Sequence, residues 1–227
     1  MEGATTDADW EAGKGARPVL VPLPYPGPGK AGRLRAAERK RQIVEVTMGV
    51  VAKYGVQGTT TSRIAAAAGV SEATLYRHFS SRTDMLLAAL DLVYERVFKV
   101  INAADQENAL DRLRAIGRLH SVVVSSEIEG YVYPLFEFVA APPEVGLRDA
   151  LAERERSSIR ALKAILEEGK SQGVIQPDTD IEQVAWELVG VYWAQDISYL
   201  MGLSEYVTAD RAQRMLERLL ESISVTT

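Results

Sequence analysis

Residues 58–79 read Gly-Thr-Thr-Thr-Ser-Arg-Ile-Ala-Ala-Ala-Ala-Gly-Val-Ser-Glu-Ala-Thr-Leu-Tyr-Arg-His-Phe. The threonines offer hydroxyls that cap an incoming helix, and Ser62 to Ala68 is strongly helix-favouring. Gly69-Val70 interrupts that helix, and Ser71-Glu72 opens a second one running to about Phe79. Two short helices joined by a glycine-containing turn make the helix-turn-helix pattern. The turn favours glycine where a side chain would collide, and the alanines before it let the helices approach closely. Leu75 and Phe79, four residues apart, fall on the core side of the second helix. Ser71, Glu72, Ala73, Thr74, Tyr76, Arg77 and His78 take the other faces, at the end of the helix that enters a major groove in such motifs.

The flanking sequence fits this centre. Upstream, Ile43, Val46, Val50 and Tyr54 recur at helical spacing over about 36–54, and Gly55 is placed to stop that helix. Downstream, Ser80-Ser81 breaks the chain before a longer helix beginning near Thr83, with Met85, Leu86, Ala89, Leu90, Val93, Val97 and Val100 on one face. A helix bearing Leu110, Leu113, Ile116 and Leu119 follows. The aromatic run Tyr131 to Phe138 lies among the breakers Gly130, Pro134 and Pro142-Pro143. Long helices are then expected over 147–169, 181–203 and 208–223. No β-type alternation competes, so the expected fold is all-α: an N-terminal three-helix DNA-binding domain and a C-terminal helical bundle. The expected boundaries are a Pro/Gly-rich tail over 1–34, a helix-turn-helix domain over 35–82 and a helical body over 83–227. The tail reads as a solvated leader, or as an arm reaching phosphates or the minor groove.

The formal net charge of −5 conceals a division. Lys30 to Arg82 holds ten Lys/Arg against three acids, a local +7 that leaves −12 for the rest. That is a basic nucleic-acid footprint attached to an acidic body. The absence of cysteine removes disulfides, thiolate metal sites and thiol nucleophiles, and fits a cytoplasmic protein. There is no Gly-rich phosphate loop, metal-ligand cluster or Ser/His/Asp arrangement, so neither an enzyme nor a cofactor or metal is expected.

The segment Gly58 to Ala65, then Ala68-Gly69-Val70-Ser71, then Thr74 to Phe79, resembles the DNA-binding region of the TetR family over about residues 43–89. The phrase Gly-Val-Ile-Gln-Pro-Asp-Thr-Asp at 173–180 is similar to a loop of that family. The resemblance implies a dimeric regulator, by default a repressor, that leaves palindromic operator DNA when a small-molecule effector binds. It implies that Thr60 caps the first motif helix and meets a phosphate, and that Thr74, Tyr76 and His78 touch phosphates and bases. Arg82 matches a backbone-clamping position. Ser62 stands where the family often has arginine, and Arg63 where it often has an acid, which shifts Arg63 toward phosphate. Glu72 and Ala73 occupy the variable base-reading positions, and a Glu72 carboxylate accepts from a cytosine amino group. Packing combined with one phosphate contact is the plainer reading of Tyr76, and a structural hydrogen bond is an equal alternative to base reading for His78.

For the body, the resemblance implies an effector pocket and a dimer formed by the last two helices. Tyr94, His120, Tyr131, Phe136, Trp186 and Trp193, with Tyr133, Phe138 and Tyr192 nearby in sequence, are the pocket candidates. Their aromatic, weakly charged character suits an apolar or aromatic effector. Val184, Leu188, Val191, Tyr192, Met215, Leu216, Leu219, Leu220 and Ile223 are the expected dimer surface. The rival reading is a TetR-fold DNA-binding or interaction protein without effector control.

Overall fold

The computed structural model describes residues 36–126, 132–143, 146–203, 205–206 and 210–225. Expectations for the tail over 1–34, and for Tyr131, lie outside the described residues. Nine helices are described: α1 (Ala36–Gly58), α2 (Thr61–Ala68), α3 (Glu72–Tyr76), α4 (Arg82–Ala103), α5 (Ala109–Ser126), α6 (Val132–Ala140), α7 (Leu147–Ser171), α8 (Ile181–Leu200) and α9 (Arg211–Ile223). Together they form the all-α architecture that the periodicities predict. The only β pairing among the described residues is one bridge between Ile175 and Ser224. It ties the 173–180 loop to the C-terminal segment. No described helix is long and apolar enough to cross a membrane.

Local chemistry sets the helix ends. Thr60, Ser71 and Ser81 cap α2, α3 and α4 by accepting from the amides of Arg63, Thr74 and Asp84. Hydrogen bonds from Ser80 and Ser81 hold the Asp84 carboxyl below its usual range. Gly69 ends α2 in the left-handed region (φ 64°), with its amide on Ala66 and the Val70 amide on Ala65. These are the two closing bonds of a Schellman turn, in a conformation that penalises any Cβ. Gly202 (φ 74°) ends α8 near Leu200, three residues before the expected Leu203. At Gly55 (φ 70°, ψ 170°) the first helix kinks and continues one turn further than expected.

Three apolar clusters form the core of the described residues. Ile43, Ile64, Ala65, Leu75, Phe79 and Met85 lock α1–α3 onto the start of α4. Val51, Leu86, Leu90, Val93, Leu135 and Phe138 join α1, α4 and α6. Leu113, Ile116, Leu166, Leu188, Leu216 and Leu220 unite α5, α7, α8 and α9. One expectation for α1 is corrected. Tyr54 is 42% exposed, and the buried face runs instead through Ile43, Thr47, Val50 and Val51. The Thr47 hydroxyl is satisfied by the Ile43 carbonyl at 2.7 Å, which allows a polar residue inside.

Candidate functional site

The reading head is built on a five-residue helix. So short a helix does not persist alone. It is held because Leu75 (0% exposed) and Phe79 insert into the α1–α4 core. The spacing predicts both. Ser71, Glu72, Ala73, Tyr76 and Arg77 are exposed, and Thr74 and His78 are half-buried. Thr60, Ser62 and Arg63 are exposed at the start of α2. All of the expected DNA-facing residues other than Arg82 are thus gathered around α3 and the start of α2.

Hydrogen bonds order this surface before any ligand arrives. Thr61 donates to a Glu72 carboxylate oxygen at 2.7 Å, joining the first turns of α2 and α3. Glu72 is therefore aimed by a neighbour. The Thr74 hydroxyl accepts from Arg77 at 2.7 Å and lies 3.0 Å from that of Ser71. Arg63 lies over the Tyr54 ring, 4.5 Å from its centroid, and donates to the Gly58 carbonyl at 2.5 Å. That stacking fixes an otherwise mobile guanidinium and accounts for the exposed position of Tyr54.

Arg82 is corrected. Its guanidinium turns inward, donating to the Thr59 carbonyl at 2.6 Å and to the Val56 carbonyl. It pins the α1–α2 connection to the start of α4, as a latch within the domain. Arg82→Ala is expected to lower unfolding stability by about 1.5–3 kcal/mol, the scale of lost charge-assisted hydrogen bonds. The slope of log affinity for DNA against log salt should stay unchanged. Denaturant melts and a salt titration of duplex binding check both; a slope reduced by about one would return Arg82 to the phosphates.

A second feature lies in the body. Side chains from α4, α5, α6, α7 and α8 line a partly open cavity of about 60 Å³. Of the pocket candidates, Tyr94, His120, Tyr192 and Trp193 line it, Tyr192 having been placed at the dimer surface as well. Phe136 stands edge-on to Trp193, with ring centroids 6.0 Å apart. Phe138 belongs to the α1–α4–α6 core. Trp186 is corrected, since at 61% exposure it faces away from the cavity.

The lining is also more charged than the aromatic residues suggest. Glu155 and Asp196 are both on it. Tyr94 donates to Glu155 at 2.7 Å, and His120 Nε2 lies 3.0 Å from Asp196. Sequence reasoning missed both acids. Asp196 carries a readable signal: it falls seven residues after Val189 and four after Tyr192 on an otherwise apolar helix face. Glu155 lies in a run of charged residues on α7 and has no such signal.

Burial pushes the Glu155 carboxyl up from its ordinary 4.5; the Tyr94 hydrogen bond opposes this and the Asp196 charge adds to it. Burial likewise pushes the Tyr192 hydroxyl up. A raised folded-state value means that Glu155 favours the fold fully below pH 4.5, and that this contribution is lost as pH rises through the folded value. Glu155→Gln, which keeps an acceptor for Tyr94, is expected to raise the melting temperature at pH 7. The gain should vanish below pH 4.5. Melting curves across that range check the sign; destabilisation at pH 7 would mean that the charge is compensated.

The expected dimer surface also changes. Val184, Leu188, Val191, Leu216, Leu220 and Ile223 are each 7% exposed or less and form the subunit's own core. A side chain already sealed inside offers a partner no area. Leu219 is half-buried against that core, and Met215 alone of the nine is well exposed, at 47%. The apolar surface that α8 does present is Trp186, Gly190, Ala194, Ile197 and Met201. Steps of four, four, three and four make these residues one continuous stripe.

Residues 43–89 match the family model described as bacterial regulatory proteins, tetR family, and residues 132–220 match that of the tetracyclin repressor-like C-terminal domain. Together the matches take in more than half of the chain. The nucleoid occlusion factor SlmA of Actinobacillus pleuropneumoniae is 31% identical over 109 residues, 48% of either chain. The chain spans about half the length of the curated relatives it matches. Among solved structures, the FadR regulator of Bacillus subtilis in complex with stearoyl-CoA superposes with a TM-score of 0.68 at 22% identity, covering 81% of this chain and 98% of that one. A chain from Saccharomonospora viridis in complex with choline gives 0.66 at 23%, covering 84% and 100%. Both likenesses are of fold.

Proposed function

The chain belongs to the TetR family of DNA-binding transcriptional regulators, and from that premise we propose that it works as a homodimeric repressor released from a palindromic operator by a small-molecule effector. The observation that carries this reading is the pairing, in one subunit, of a pre-ordered reading head with a partly polar cavity sharing helix α4. That helix begins at the Arg82 latch under the head and lines the cavity at Tyr94 and Val97. Helix α6 gives a second link. It lines the cavity at Leu135, while its Glu137 carboxylate lies 2.8 Å from where a Cβ on Gly55 would stand.

An effector that enlarges the cavity would shift α4 and α6 together and so re-aim the head. A coupling of roughly 1–3 kcal/mol is enough to change operator occupancy. Base reading falls to Glu72, Ala73, Thr74 and Tyr76, with Thr60, Ser62, Arg63, Ser71, Arg77 and His78 supplying phosphate contacts and registration. The exposed α8 stripe with Met215 is the face offered to a second copy. Gly190 and Ala194 at its centre let two helices approach closely, and a two-fold axis would place the stripe on its own copy. The proposed division is a reading domain over 35–82 and an effector and dimer body over 83–227, acting in the cytoplasm.

Selection of bound sequences from random duplex DNA at near-physiological salt tests the reading. A two-fold-symmetric motif with half-sites about one helical turn apart is expected. Binding with steep salt dependence but no enriched sequence would overturn operator recognition. It would favour a DNA-binding role without effector control, the kind of role that the name of the SlmA relative suggests.

A further inference from the structure

Resting on the effector reading above, we propose that the cavity takes an organic ammonium ion carrying a short alkyl tail. Two carboxylates from different helices, Glu155 of α7 and Asp196 of α8, line one cavity, and Asp196 is 1% exposed. Away from water such charges gain strongly from a cation placed between them. The same wall is aromatic: Tyr94, Tyr192 and Trp193 present ring systems that attract ammonium groups.

An independent observation points the same way. Tyr192 is on the lining, and its hydroxyl is sealed from solvent and without a hydrogen-bond partner among the described residues. A buried polar atom left unpaired is costly. An ammonium N–H is a donor this oxygen can accept. His120, whose ring lies 4.9 Å from that of Tyr192, is already engaged with Asp196 and holds the acid in place. Arg96 also reaches the lining and is itself engaged. It makes alkyl carboxylates the informative competitors.

The lining also has aliphatic side chains, among them Val97, Val100, Leu162 and Val189. A tail of a few carbons suits that surface. At about 60 Å³ the cavity is well below the roughly 150 Å³ that accommodates benzene in an engineered protein core. Longer tails are expected to widen it, the movement proposed above to release the operator.

The test uses the full chain and its selected duplex, with propyl- to hexylamine, the matching 1-alkanols and the matching carboxylic acids at pH 7. Calorimetry reads binding to the free protein, and fluorescence anisotropy reads release of the duplex. Amines are expected to bind about tenfold or more tightly than alcohols or acids of equal length. Glu155→Gln should remove that preference by weakening amine binding, while duplex binding in the absence of ligand is kept. Tyr192→Phe, which deletes only the unpaired hydroxyl, should weaken amine binding and keep the fold. Preference for acids, equal binding of all three series, or no binding by any overturns the proposal. Release of the duplex by acids alone would leave effector control standing and sink the ligand class. Amine binding that never releases the duplex would do the reverse.

Discussion

Ala194→Arg is expected to convert the proposed dimer into monomers and to weaken binding to a two-half-site operator by about 10²–10⁴-fold, the range by which linked sites exceed single ones. Ala194 sits in the middle of the stripe formed by Trp186, Gly190, Ile197 and Met201, and it is exposed in the subunit. A guanidinium there meets its own copy across a two-fold axis, where bulk and like charge both oppose contact. Because no core contact is lost, the helical content of the subunit should be preserved. Affinity for an isolated half-site should also be unchanged, since the reading head lies in another part of the chain. Analytical ultracentrifugation and binding to one- and two-half-site duplexes read the two effects. A variant that stays dimeric and binds normally would show that the stripe is not the interface.

Leu75→Ala is expected to cost about 2–5 kcal/mol, as for other fully buried leucines. Against a typical total of roughly 5–15 kcal/mol this is a large share. Its consequence for function should be larger still. Leu75 is 0% exposed and is one of two anchors, with Phe79, that hold the five-residue α3 against Ile43, Ile64 and Met85. With the anchor shortened, α3 has neither the length nor the packing to keep its shape. Operator binding should then be lost even at temperatures where most of the molecule stays folded. Urea unfolding together with duplex binding tests this. Normal duplex binding in a destabilised variant would mean that α3 is held by its neighbours without Leu75.

The two substitutions probe different origins of structure. The reading head was legible because its determinants are local. Capping hydroxyls at Thr60 and Ser71, the positive φ demanded at Gly69 and the Leu75/Phe79 spacing each act within a few residues, so the order of residue types carries them. The all-α class was legible for the same reason, through periodicity in every long segment. Even here, direction had to come from packing. Nothing local turns the Arg82 guanidinium inward, because its acceptors at Val56 and Thr59 are more than twenty residues away.

The body shows the limit more fully. Periodicity identifies the apolar faces of α8 and α9 but not what covers them. Val184, Leu188, Leu216 and Leu220 serve the subunit's own core, and a quite different face, centred on Ala194, is left outside. A helix in a bundle can be apolar on two sides, and only its neighbours decide which side is already filled. The cavity is the extreme case. Tyr94, His120, Glu155, Tyr192 and Asp196 span about a hundred residues of chain and meet only because five helices cross there. Sequence alone determined that this chain folds into helices and carries a DNA-reading head. The tertiary structure decided which side chains fill the subunit's core, which line a cavity and which stay exposed, because facing is a property of packed neighbours.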